Sequence, residues 1–300
     1  MRIFLTGATG YIGSAITKDL LEVGHQVVGL ARSDASAAAL VAAGAEVHRG
    51  NLDDFDSLKA GASAADGVIH NAFNNISETT DFVAASQADL AAVEAIGSAL
   101  EGTDKPFIVT SGTLLLTPGR LGTENDAPDP VMGGPRVPTE IAVHDMASRG
   151  IRSAVVRLAP TVHGVGDNAG FISTLISLAR AKGASAYVGD GSNLWPAVQR
   201  LDAARLFRLG VESAPAGSRL HGAGEEGVPF KDIAEAIGRK LDLPTVSVST
   251  EDAPDHFGFL AFAVATDNPT SNKITRELLG WDPTHPKVIE DIEEGHYFKG

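Results

Sequence analysis

The chain has 300 residues, 43% of them apolar and 21% charged, enough for one large α/β domain or a domain with an appended lobe. Its net charge of −14 disfavours nucleic acid and anionic membranes as partners, and the absence of cysteine excludes disulfides, thiolate catalysis and Cys-ligated zinc. No apolar run is long enough to span a bilayer, and the opening MRIFLTGATG lacks the long apolar core of a signal peptide, so a cytoplasmic location is expected.

In chain order, residues 2–6 predict a strand and residues 10–23 a helix, with Ile12, Ile16, Leu20 and Val23 on one face and Gly24 as its stop. A strand at 26–31, a small Ala-rich helix at 35–43, a short strand at 46–49 and a helix at 55–62 follow. Apolar runs at 67–71, 106–111 and 153–158 predict three more strands, with a long helix at 81–100 between the first two. The Pro/Gly-rich stretch 117–138 reads as a long loop. Beyond about residue 165 the pattern loosens, with helices expected at 171–182 and 230–241 and a seventh strand near 219–222. Strands alternating with helices imply a parallel sheet with right-handed crossovers, covered on both faces.

The sharpest motif is TGATGYIG, residues 6–13, which follows a predicted strand and opens a predicted helix. In such a turn Gly7 permits the tight bend, Gly10 lets the backbone approach a pyrophosphate, and Gly13 allows the helix to pack closely on the sheet. The exposed N–H groups at the helix start favour an anion. The expected architecture is therefore a doubly wound Rossmann α/β fold of about seven strands. Residues 1–165 would form the cofactor core, and 166–300 a smaller substrate-side region partly interleaved with it.

At the end of the second strand an NAD site would place a carboxylate on the ribose 2′-hydroxyl. Here the chain reads Leu30-Ala31-Arg32-Ser33. A guanidinium can grip a 2′-phosphate in bidentate fashion, with the serine adding a hydrogen bond, so NADP(H) is favoured over NAD(H). Asp34, next in line, is the one residue that weakens this reading.

TGATGYIG, with its GxxGxxG spacing, resembles the short-chain dehydrogenase/reductase superfamily, in particular its extended, epimerase/dehydratase-like branch. Gly50-Asn51-Leu52-Asp53, Val68-Ile69-His70-Asn71-Ala72, Val156-Arg157-Leu158-Ala159-Pro160 with Val162-His163-Gly164, and Leu279-Gly280-Trp281-Asp282-Pro283 are similar to further segments of that family, in the same order. The resemblance implies a cofactor lying against Gly7, Thr9, Gly10, Tyr11, Ile12 and Gly13. Arg32, Ser33, Leu52 and Asp53 would lie at its adenosine end, and Asn71, Ala72, Phe73, Pro160 and Val162 further along.

The family's proton chemistry rests on a Tyr-x-x-x-Lys pair and an upstream Ser or Thr, and this chain departs from it. Tyr11, Tyr187 and Tyr297 are its three tyrosines, and none has a lysine four residues on. The matching segment is Arg136-Val137-Pro138-Thr139-Glu140, Asp89 stands where the family has Asn, and Thr110-Ser111-Gly112-Thr113 puts Gly at the usual Ser position. Candidate catalytic groups are accordingly Ser111, Thr113, Arg136 and His144. Arg136 would stabilise a developing alkoxide while water supplies the proton, and Glu140 would accept ribose hydroxyls. A helix starting at Pro138 would leave Arg136 outside it; His144, four residues after Glu140, is then either an acid/base or half of a surface pair. His163, Tyr187 and Trp195 are candidates for the substrate side, within or beside a stretch, 186–200, expected to close over the substrate.

The function these readings support is NADPH-dependent reduction or dehydrogenation of a small carbonyl or alcohol substrate. Alternatives are an epimerase or dehydratase that retains its cofactor, and a non-catalytic NADP-binding redox sensor or regulator. No metal is expected, and a homodimer remains open.

Overall fold

Strand β1 (Arg2–Thr6) is a run of apolar residues whose alternate side chains enter different cores: Ile3 and Leu5 face one layer of helices and Phe4 the other. The computed structural model describes residues 1–73 and 81–298. After β1 come α1 (Tyr11–Glu22), β2 (Gln26–Ala31), α2 (Asp34–Ala43), β3 (Glu46–Arg49), α3 (Phe55–Ser63), β4 (Gly67–His70), α4 (Phe82–Leu100) and β5 (Pro106–Gly112). The chain continues with α5 (Val137–Asp145), β6 (Arg152–Leu158), β7 (Thr161–His163), α6 (Phe171–Lys182), β8 (Ser185–Val188), β9 (Leu194–Gln199), α7 (Arg200–Ser213) and β10 (Ser218–Gly222). The remainder forms β11 (Glu225–Pro229), α8 (Phe230–Leu241), β12 (Thr245–Val248), α9 (Ala253–Phe257), α10 (Ala261–Ala265), α11 (Lys273–Leu279) and α12 (Val288–Glu294).

Seven parallel strands make one sheet in the order β10-β6-β5-β4-β1-β2-β3. This is the doubly wound Rossmann order, with the reversal between β1 and β4, where ligands bind at the strand C-termini. Helices α1, α2 and α7 cover the face of Ile3, Leu5 and Ile69, while α3, α4 and α5 cover that of Phe4, Val68 and Phe107. The expected seventh strand is the edge strand β10, in register with β6.

The later part of the chain contributes to this core and builds another. Phe207 and Val211 of α7, Leu220 of β10, and Leu279 and Trp281 pack in the first core. A separate cluster unites α6, α8, α9 and α12 around Trp195, Phe230, Ile233 and Phe257, beside a three-stranded sheet of β11, β9 and β7 and a β12–β8 pair. The stretch 186–200 therefore differs from its expected role as a cover: it forms parts of β8 and β9. Trp195 is fully buried with its indole N–H on Ala263 O at 3.0 Å, so it is core and not a pocket wall. Tyr187 packs against Lys231, whose ammonium lies 5.5 Å from the ring centroid. Among the described residues no helix is long and apolar enough to cross a membrane.

The loop at 117–138 is tied down. Gly119 and Gly122 donate their N–H groups to Asp267 O and Pro269 O, and Asp126 accepts from Arg120 and Thr123. A 3-10 turn at Gly134–Arg136 leads directly into α5.

Candidate active site

The turn between β1 and α1 has the geometry that its glycines anticipate. Gly7 lies at φ +71, in the left-handed region, and a Cβ there would meet Ala72 N at 2.9 Å. A Cβ on Gly13 would sit 1.9 Å from Gly7 O, so only glycine lets α1 start this close to the turn. Gly10 is the open position: a Cβ there would meet Gly7 O at 3.3 Å, and the residue is exposed. No side chain caps α1 and no acidic residue lies in its first turn, so its leading N–H groups are left for an anion. Thr9 is exposed at the rim, and Ile12 packs inward against the core.

At the adenosine end, Arg32 and Ser33 follow β2. Ser33 caps α2, accepting from Ser36 N at 3.1 Å, so its hydroxyl is engaged in the helix start. Arg32 is exposed. Asp34 pairs with Arg49 at 2.7 Å, at the end of the neighbouring strand, where Ala31 and Arg49 are in register. Leu52 packs against the core beside β3, and Asp53 is exposed in a turn that Asn51 caps through its side-chain oxygen.

The switch point holds a hydrogen-bonded chain that the sequence reading missed. Ala72 N donates to Thr6 Oγ1 (3.2 Å), and that hydroxyl is hydrogen-bonded to His70 Nδ1 (2.9 Å). The other ring nitrogen, Nε2, donates to the Asp89 carboxylate (3.2 Å). Arg136 closes the chain, giving one N–H to Asp89 Oδ2 (2.8 Å) and another to Thr110 O (2.9 Å), with its guanidinium 4.3 Å from the centroid of Phe73. Burial pushes the Asp89 carboxyl up, but the His70 hydrogen bond and the Arg136 charge outweigh it and hold the group below the usual range. The available signal was period-2 alternation: Thr6 shares parity with Phe4, and His70 with Val68, so both face α4 and hence Asp89. Asn71, which accepts from the Thr110 hydroxyl, lies beside this chain with Ala72 and Phe73, all three partly exposed.

Four candidates take other roles. Glu140 is 2% exposed and accepts from Ser111 (2.7 Å) and Arg157, so its carboxylate is spent inside the protein and not on a ribose. Thr113 is fully buried and exchanges hydrogen bonds with Asn268 at 2.8 and 3.0 Å. His144 is exposed and hydrogen-bonds Gly217 O at 3.1 Å, next to the N-terminus of β10. It is at the wrong edge of the sheet, because α5 runs antiparallel to the strands and carries it away from their C-terminal ends. The Glu140–His144 pair does not form. His163 is buried against Asp291 (2.8 Å) and is packed, not presented to a ligand. Pro160 and Val162, just beyond β6, are partly buried, and Val162 packs on the core.

Two tyrosines are structural. Tyr11 donates to Gly164 O (3.2 Å), while Tyr297 accepts from Gly164 N (3.0 Å) and donates to Asp167 (3.3 Å). Burial, reinforced by Asp167, pushes both phenols far above their ordinary value, so neither is poised to give up a proton. Among the described residues, Asp291, Glu294 and His296 bring ligand-type atoms within 4.8 Å of one another, though Asp291 is already engaged by His163.

Residues 3–113 match the NAD dependent epimerase/dehydratase family. An uncharacterized protein of Schizosaccharomyces pombe is 49% identical over 300 residues, covering 99% of this chain and 100% of that one. The chain belongs to the NAD dependent epimerase/dehydratase family. A ketoreductase of Stigmatella aurantiaca, acting on a 4-hydroxy-2-methyl-3-oxo-4-farnesyl-3,4-dihydroquinoline-1-oxide, is 25% identical over 269 residues, 86% of this chain and 80% of that one. The fold is shared with the UDP-glucuronic acid 4-epimerase of Bacillus cereus, solved with UDP-glucuronic acid and NAD, at a TM-score of 0.76 and 19% identity, covering 99% of this chain and 98% of that chain. The matched family is one of NAD dependent enzymes. Within it, Arg136 and Asp89 stand where the resemblance implies Tyr and Asn.

Proposed function

We propose that the protein is an NADPH-dependent oxidoreductase of a small carbonyl or alcohol substrate. The observation that carries the cofactor choice is at the end of β2. Arg32 is exposed with no carboxylate engaging it among the described residues, and the nearby Asp34 is neutralised by Arg49. At the end of β2, where an NAD site carries a carboxylate for the ribose 2′-hydroxyl, this chain has Arg32. Residues 1–165 would supply the cofactor core and 166–300 the substrate side. The charge of −14 fits a small-molecule partner and not nucleic acid or an anionic membrane, in the cytosol.

NADPH, when bound, supplies the hydride. Arg136 then polarises the carbonyl electrostatically: its two engaged N–H groups fix it, and among the described residues its others have no partner. Ser111, at the end of β5, gives its one hydroxyl hydrogen to Glu140 and has none for the carbonyl oxygen, so the proton comes from water. The ketoreductase relative supports reduction as the reaction class. A second reading, an NADP-binding sensor, draws support from the side-chain partners that Ser111 and Thr113 already have.

NADPH consumption over a panel of aldehydes and ketones tests the reading. Turnover is expected, with kcat in Tyr187→Phe and Tyr297→Phe within about tenfold of wild type, because loss of a true proton donor costs about 10²–10⁴-fold. A thousand-fold fall in either variant, with cofactor affinity intact, overturns the water-supplied proton. Tight NADPH binding without turnover on any substrate favours the sensor.

A further inference from the structure

The helices α1 and α7 pack side by side, and two arginines of α7 reach across to α1. Their surroundings differ. Arg208 is neutralised, by Asp19 at 2.7 Å and Glu212 at 3.2 Å. Arg200, two turns earlier, reaches the first turn of α1. Its Nη2 donates to Ser14 Oγ at 2.7 Å, its Nη1 to Val165 O at 3.0 Å, and its guanidinium lies 4.8 Å from the centroid of Tyr11. Both hydrogen-bond partners are neutral, and among the described residues no carboxylate pairs with it. Its Nε is buried with no partner.

That placement is electrostatically costly as it stands. The start of α1 carries partial positive charge, with no side-chain cap and no acidic residue in its first turn. A full positive charge held beside it, with one donor desolvated and unpaired, calls for an anion. The Gly7–Gly13 turn presents its own N–H groups at the same place.

We infer that Arg200 binds the pyrophosphate of the dinucleotide, supplying side-chain charge to a turn otherwise built of backbone N–H groups. The inference rests on the dinucleotide reading of that turn. Arg200 and Arg32 then divide the cofactor. Arg200 recognises what NADPH and NADH share, and Arg32 what distinguishes them.

Calorimetric titration of the full chain with NADPH, NADH and adenosine 2′-monophosphate separates the roles. Arg200→Ala should weaken both dinucleotides by roughly 10- to 100-fold, the loss expected for a charge-assisted contact, and leave their ratio unchanged. Arg200→Gln keeps donors for Ser14 and Val165 without the charge, and should behave similarly. Adenosine 2′-monophosphate lacks the pyrophosphate, so its affinity should be that of wild type in both variants, which a merely structural role would not spare. Wild-type dinucleotide affinity in Arg200→Ala, or an equal loss for adenosine 2′-monophosphate, overturns the role of Arg200 alone. Wild-type protein that binds neither dinucleotide overturns the reading of the turn itself.

Discussion

Replacing Glu140 by Gln separates a structural from a catalytic role at the position where the family carries a lysine. The carboxylate is 2% exposed and sits between two guanidinium groups: Arg157, fully buried and in contact with it, and Arg219, 3.6 Å away. Gln retains the shape and can still accept from Ser111, but removes the negative charge. At 3.6 Å and an effective dielectric of about 20, the attraction to Arg219 alone is roughly 4–5 kcal/mol before desolvation offsets most of it. Arg157 has no exit to solvent. Its other contacts are Asp126 O at 2.9 Å and His221 Nε2 at 3.2 Å, both neutral. Breaking a buried pair by removing one partner typically costs about 3–5 kcal/mol. For a chain of this length, with an unfolding entropy of about 2 cal/mol/K per residue, that lowers Tm by about 5–8 °C. Differential scanning calorimetry reads the shift, and titration of the folded variant at lower temperature should show dinucleotide affinity close to wild type. An unchanged Tm with a tenfold loss of affinity would refute the buried-pair reading and restore Glu140 to the ribose.

The glycines of the turn should separate in the same two assays. Gly10→Val should keep the fold and lose the dinucleotide, whereas Gly13→Ala should lose both, because its Cβ would sit 1.9 Å from Gly7 O; wild-type affinity in either would contradict the turn assignment. His221 gives a pH signature. Burial, aided by Arg157, depresses its pKa from 6.5 to about 3. Between these values the unfolded chain binds a proton that the folded chain does not, so this term is fully present above about pH 6.5 and is lost as pH falls toward 3. The folding equilibrium constant should drop by up to about tenfold per pH unit in that window. His221→Asn should flatten the dependence in denaturant titrations, and an unaltered slope would count against the assignment.

The core of the fold was legible because its signals are local. The alternation of apolar runs and helices fixes β1 to β6, and TGATGYIG marks the turn by residue type alone. The C-terminal half was less so. Helix α7 carries Ala203, Phe207 and Val211 at helical spacing, yet it follows directly on β9 with no punctuation, so its start is silent. In the site, positions are readable and partners are not. Arg136 and Asp89 are 47 residues apart in sequence and meet only because α4 and α5 lie on the same face of the sheet. The sequence offers Glu140 as an acceptor for ribose hydroxyls or as half of a surface pair, and only Arg157, on β6, makes its burial intelligible. Thr113 is answered by Asn268, 155 residues away.

The central claim is that Arg32 selects NADPH, and the most direct measurement is the affinity of wild type and Arg32→Ala for NADPH and NADH by fluorescence titration at fixed ionic strength. Wild type should bind NADPH more tightly. Arg32→Ala should weaken NADPH by roughly 10- to 100-fold while leaving NADH within about twofold, since only the 2′-phosphate loses a charge-assisted contact. Equal or tighter binding of NADH by wild type, or an unchanged NADPH affinity in Arg32→Ala, would contradict the account.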